Sequence, residues 1–99
     1  MRKDHLSFVY ILSNSRNGTL YIGVTSDLIK RMWQHKNKEF KGFTNIYNID
    51  KLVYFEEHFT IIEAINREKK IKKWHRQWKI QLIEKNNPNW DDLYIRMIE

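Results

Sequence analysis

The chain has 99 residues with 18 Lys and Arg against 12 Asp and Glu, a formal net charge of +6. That length suits one hydrophobic core and leaves little room for a second module, so a single domain over residues 1–99 is expected. The lack of cysteine excludes disulfides and thiolate zinc sites, and no apolar run reaches the roughly 18 residues of a membrane span. The opening segment, Met1 to Ser7, has no apolar region of the signal-peptide kind, so a cytoplasmic location is expected. The excess of basic residues points to a polyanionic partner, nucleic acid ahead of an acidic membrane surface. Seven Lys/Arg against one acid, Glu68, between Arg67 and Lys79 sharpen that reading.

Phe8–Leu12 and Leu20–Val24 are short β-branched and aromatic runs. The Asn17-Gly18 pair between them favours the positive φ angles of a tight turn, which predicts an antiparallel hairpin. Ser26 can cap a helix that has Asp27 in its first turn and runs to about Lys36. Residues 36–50 have no period and read as a basic loop, and Lys51–Glu56 as a third strand. Thr60 and Glu63 form a capping box, followed by a helix whose apolar face comprises Ile61, Ala64, Ile65 and Ile71. Beyond Trp74 the stripe moves round to Trp78 and Leu82, which predicts a break near His75 and a second helix to about Lys85. Asn87-Pro88 ends that helix, and the tail packs Trp90 and Leu93 onto the body. The order β-β-α-β-α-α is that of an α+β fold, a three-stranded antiparallel sheet flanked by helices.

Several residues can carry chemistry. Tyr10 and Tyr21 lie on paired strands, where alternation can bring both rings to one side of the sheet, although strand tyrosines commonly serve packing. Arg31 and His35 are an i,i+4 pair flanking the Leu28/Met32 stripe, either a functional pair or a solvated helix face. Glu68 falls in the middle of an apolar helix face, where a carboxylate is costly unless a cation meets it. That cation is either a buried arginine or a divalent metal. Gly23 at the end of the second strand marks the close approach of another group, a phosphate being one candidate.

With these residues in place, the chain resembles the GIY-YIG nucleases. Val9-Tyr10-Ile11 stands where their first tripeptide stands, and Tyr21-Ile22-Gly23 matches the second. Asp27 to Arg31 with His35, Gly42-Phe43-Thr44, Leu52 to Glu56, Ala64 to Trp74 and the ending Asn87 to Leu93 also fit, as in small stand-alone bacterial members. The likeness extends over about residues 7–94. It implies catalytic roles for Tyr10, Tyr21, Arg31, His35 and Glu68, with Glu68 the ligand of Mg²⁺ or Mn²⁺ and no small-molecule cofactor. Relatives include phage-type homing endonucleases, some restriction enzymes and the N-terminal nuclease domain of the repair excinuclease C subunit, all of which cut DNA. The implied DNA grip consists of Lys36, Lys38, Lys41, Lys72, Lys73 and Arg76.

The chain also departs from the family pattern. The first tripeptide is Val-Tyr-Ile instead of Gly-Ile-Tyr, and Asn45-Ile46 stands where similar proteins carry Lys or Arg. The further asparagine of family sites could be Asn66, Asn86 or Asn87. No counterpart of the recognition domain of larger relatives is expected in this chain, so target selection is expected to be weak, structure-based or supplied by a protein partner. A non-catalytic nucleic-acid-binding module on the same scaffold is the alternative. A protein-interaction domain using Trp74, Trp78 and Trp90 is a third reading.

Overall fold

A computed structural model describes residues 6–99; residues 1–5 of the opening segment lie outside the described part. The elements are β1 (Ser7–Ser13), β2 (Leu20–Thr25), α1 (Leu28–Lys36), α2 (Phe43–Ile46), β3 (Lys51–His58), α3 (Ile61–Lys73), α4 (Arg76–Asn86) and α5 (Tyr94–Ile98). The three strands form one antiparallel sheet in the order β2-β1-β3, as the α+β reading expects.

Helices cover both faces of this sheet, which is why the central strand reads as an unbroken apolar run. Val9, Tyr10, Ile11 and Leu12 are all fully buried, and strand alternation divides them between two cores. Val9 and Ile11 pack with Ile22, Val53, Ala64, Ile71, Ile83 and Trp90, under α3 and α4. Tyr10 and Leu12 pack with Leu28, Met32, Ile49 and Leu52, under α1 and the C-terminal segment. Each fully buried aliphatic side chain is worth about 1.5–3 kcal/mol relative to exposure, so β1 anchors both layers.

Local chemistry shifts several expected details. Asp27, not Ser26, caps α1: its carboxylate accepts from the Lys30 amide at 3.1 Å, because Thr25 Oγ1 accepts from the Asp27 amide and lengthens the turn by one residue. The segment expected as loop contains α2, a single turn introduced by Gly42 at φ 107, too short to give a readable period. Between β1 and β2 only Asn17 takes a positive φ, and the Gly18 amide closes the turn on the Ser15 carbonyl at 2.9 Å.

Helix α3 begins as expected, with the Glu63 amide donating to Thr60 Oγ1 at 3.1 Å. Its roll differs from the expected face, however. Ala64 and Ile71 are buried whereas Ile61 and Ile65 are exposed, so the sheet-facing line runs through Ala64, the partly buried Arg67 and Glu68, Ile71 and Trp74. The break falls at Trp74 and His75, both with extended ψ angles. In α4 the inward residue is Ile83, with Ile80 and Leu82 half-buried; Trp78 is left 53% exposed, contrary to the stripe read from sequence.

Past α4 the chain is fastened by side chains. Buried Asn87 donates from Nδ2 to the carbonyls of Val53 (3.0 Å) and Asp91 (2.9 Å) and accepts from the Asp91 amide. Trp90 is buried, and Leu93 packs against the Tyr10 core, as the tail reading expects. No helix among the described residues is long and apolar enough to cross a membrane.

Candidate active site

Register brings the two tyrosines together. Tyr10 pairs with Gly23 and Leu12 with Tyr21, so both phenols stand on the α1 face, with ring centroids 6.4 Å apart. Gly23 is needed for this arrangement. A Cβ on it would sit 2.4 Å from the Tyr10 hydroxyl and 2.5 Å from Cζ. The group that approaches Gly23 is therefore the Tyr10 ring, where the sequence suggested a phosphate.

Helix α1 supplies the other two groups. Leu28 and Met32 face the sheet, and Arg31 and His35 follow one turn apart beside them. The Tyr10 hydroxyl lies 3.5 Å from Arg31 Nη1 and 3.5 Å from His35 Nε2. The His35 ring is 5.8 Å from that of Tyr21 and 4.7 Å from that of Phe40, while the Arg31 guanidinium sits 5.5 Å over Phe40. Tyr21, Arg31 and His35 open onto a pocket of about 220 Å³, which Phe40, Lys41, Phe43 and Thr44 complete.

Burial sets the protonation of this group. Desolvation, with the Arg31 charge adding, pushes His35 down to about 4 against the opposing pull of Asp50. The imidazole is therefore neutral at pH 7, and its buried Nδ1 has no hydrogen-bond partner among the described residues. Desolvation also raises the Tyr10 phenol; Tyr21 and Glu68 add to this, and Arg31 opposes it through its hydrogen bond and charge. Tyr10 is thus a neutral phenol well above pH 7.

Glu68 stands on α3 and is not among the residues that line the pocket. Its side chain is only 16% exposed, and its charge bears on the Tyr10 hydroxyl. Its ion-pair partner is Lys72, one turn on at 2.9 Å, a half-exposed lysine and not the buried arginine that was one of the two sequence readings. The donor set fits a hard divalent cation. Mg²⁺ keeps several waters and binds through one or two carboxylates plus substrate phosphates, so a lone, largely buried carboxylate suffices. A cage of three or more His, Cys, Asp or Glu side chains is not found among the described residues.

The six basic residues expected to grip DNA occupy different situations. Lys36 binds Asp92 at 2.5 Å and the Asp50 carbonyl at 2.9 Å, and lies 5.2 Å over the Tyr94 ring, so it tethers the C-terminal segment. Arg76 donates to the Asn17 and Gly18 carbonyls at 2.8 and 2.7 Å, tying α4 to the hairpin turn. Lys72 pairs with Glu68, and Lys38 donates to Asn48 Oδ1 at 2.7 Å. Lys41 and Lys73 are exposed, without an ion-pair partner among the described residues. Of the asparagines, Asn87 is committed to the fold, and Asn66 and Asn86 are exposed.

Two features were not read from the sequence. One is the aromatic wall of Phe40 and Phe43. The other is a cluster on β3, where Glu56 accepts from Tyr54 (2.5 Å) and Arg67 Nε (3.0 Å) and bonds His58 (2.6 Å). Arg67 in turn lies 5.1 Å over Trp74. The alternation of Tyr54, Glu56 and His58 along one strand was the available signal.

Comparison with known proteins gives the family. The GIY-YIG catalytic domain matches residues 6–81, a span that holds Tyr10, Tyr21, Arg31, His35 and Glu68. The chain belongs to the GIY-YIG family, and this membership supports a nuclease in general terms. More particularly, it is similar to small proteins of the UPF0213 group. One from Staphylococcus saprophyticus is 38% identical over 76 residues, 77% of this chain and 92% of that protein. Another from Staphylococcus epidermidis is 38% identical over 77 residues, 78% of this chain and 93% of that one. The solution structure of a UPF0213 protein from Bacillus halodurans superposes with a TM-score of 0.54 at 25% identity, covering 88% of this chain and 92% of that chain.

Proposed function

We propose that the chain is a Mg²⁺- or Mn²⁺-dependent endonuclease that hydrolyses DNA phosphodiester bonds. In this reading it selects substrates by structure and serves DNA repair or processing in the cytoplasm, with a protein partner available to supply target selection. The observation that carries the reading is the convergence of Arg31 and His35 on the Tyr10 hydroxyl, each at 3.5 Å, beside a pocket open to a phosphate.

In the reaction a water oxygen bonds to phosphorus, the bond to the 3′ oxygen breaks, the water gives up a proton and the 3′ oxygen gains one. Arg31 opposes the charge that builds on the non-bridging oxygens. Tyr21, which lines the pocket, orients the attacking water and takes its proton. Buried Tyr10 holds Arg31 and His35 in position, and neutral His35 passes the proton on. Glu68 would hold the divalent cation, which supplies Lewis-acid neutralisation of phosphate oxygens when bound. Lys41 and Lys73 lead the grip on flanking phosphates; Lys38, Lys72, Arg76 and Lys36 contribute where DNA can compete for them.

The direct test is supercoiled plasmid and branched oligonucleotides incubated with the protein in Mg²⁺, Mn²⁺ or EDTA. Nicking in the metals alone is expected. DNA binding with no cleavage in either metal would favour the non-catalytic binding module.

A further inference from the structure

The pocket beside Tyr21 has walls that phosphate does not need. Arg31 and Lys41 bring charge to its lining, but Phe40 and Phe43 add two aromatic rings to it. Phe40 is held in place by His35 and Arg31, at 4.7 and 5.5 Å. Phe43 is set differently. It starts the single turn of α2 after Gly42 at φ 107, leans on Tyr47 with centroids 5.0 Å apart, and remains 48% exposed. An aromatic ring at that exposure is not there to fill a core. Buried Thr44, the next residue, also lines the pocket.

Resting on the DNA-cleaving reading above, we propose that this pocket takes one unstacked nucleobase from the nucleotide adjacent to the scissile phosphate. The base would stack on Phe43, facing Phe40, with the Thr44 hydroxyl toward its polar edge, while its phosphate meets Arg31 and Lys41. A volume of about 220 Å³ has room for one planar ring system. A base reaches such a concavity only from outside the helical stack. Stacking on aromatic side chains tolerates any base, because every base has a π-face. The pocket therefore selects DNA that already contains an unpaired, frayed or looped-out nucleotide, and does so without reading sequence.

The test uses the full chain in EDTA, so that binding is read independently of cleavage. A labelled duplex with one unpaired adenosine is compared with the same duplex carrying an abasic residue there, which keeps the phosphate and removes the base. The unpaired adenosine is expected to bind about ten-fold more tightly than the abasic duplex, the worth of one stacking contact. In Phe43→Ala that ratio should fall to near one, and in Phe43→Tyr it should persist. Equal affinity of the unmodified protein for the two duplexes would overturn the pocket assignment. So would a ratio that survives Phe43→Ala. Discrimination between the duplexes without nicking in Mg²⁺ would remove the nuclease reading and leave the pocket standing.

Discussion

The Tyr10 ring lies across Gly23 of the neighbouring strand, so closely that a methyl on the glycine would stand 2.4 Å from the phenolic oxygen. Tyr10 is fully buried and has no room to retreat. Gly23→Ala should therefore destabilise the fold by about 1–3 kcal/mol, the range for overpacking a tight core. It should also move the hydroxyl away from Arg31 and His35, and a displacement on the order of 1 Å costs about 100-fold in rate. Thermal melting and nicking rate, measured on the same preparation, check both effects.

His35 gives the fold an acid sensitivity. Its pKa is held down at about 4, below the ordinary imidazole value of 6.5, mainly by burial. Between those two values the unfolded chain binds the proton and the folded one does not, so stability should fall as pH drops from about 6.5 toward 4. Replacing His35 with Gln should flatten that part of the stability-versus-pH curve, measured by urea denaturation at several pH values. An unchanged slope would mean that other groups carry the acid loss.

Glu56 should matter for stability and not for the chemistry. Burial pushes its carboxyl up, but hydrogen bonds from Tyr54, Arg67 and His58 outweigh burial and hold it below the usual range. Glu56→Ala leaves all three partners without their acceptor, and a loss of about 2 kcal/mol is expected for this partly exposed network. Denaturant midpoints would show it. A variant with wild-type stability would mean that the cluster forms no net stabilising network.

How much of this was legible in the sequence varies with the kind of interaction. The strands, the break near His75 and the grouping of Tyr10, Tyr21, Arg31 and His35 follow from alternation and i,i+4 spacing, which local geometry enforces. The inward setting of Glu68 was readable for the same reason. The roll of α3 was not, because Ile61 and Ile65 share helical spacing with Ala64 yet flank the buried line of Ala64 and Ile71 and stay exposed. The lysines were least legible. Lys36 and Arg76 are claimed by the carbonyls of Asp50, Asn17 and Gly18, and backbone acceptors leave no trace in a sequence.

The same occupancy sets an expectation for salt. Each phosphate neutralised contributes a slope of about −0.9 to log affinity against log salt on duplex DNA. Lys41 and Lys73 each lack an ion-pair partner among the described residues, so Lys41→Ala and Lys73→Ala should each reduce the slope by about 1. Lys36→Ala should instead lower thermal stability, because its ammonium tethers Asp92 and the Asp50 carbonyl. Binding isotherms across a salt series, with melting curves alongside, separate the two classes. A Lys36→Ala variant that changes only the slope would contradict the division.

In the proposed reaction Glu68 would hold the divalent cation that serves the Tyr10, Arg31 and His35 group. The most direct test of that role is the nicking rate of supercoiled plasmid in Mg²⁺ by the parent and by Glu68→Ala, with DNA affinity measured in parallel. Alanine favours a helix and suits the sheet-facing line between Ala64 and Ile71, so the variant should fold. Glu68→Ala is expected to bind DNA nearly as the parent does and to have lost metal-dependent nicking. A folded Glu68→Ala protein that nicks plasmid as fast as the parent would contradict that role.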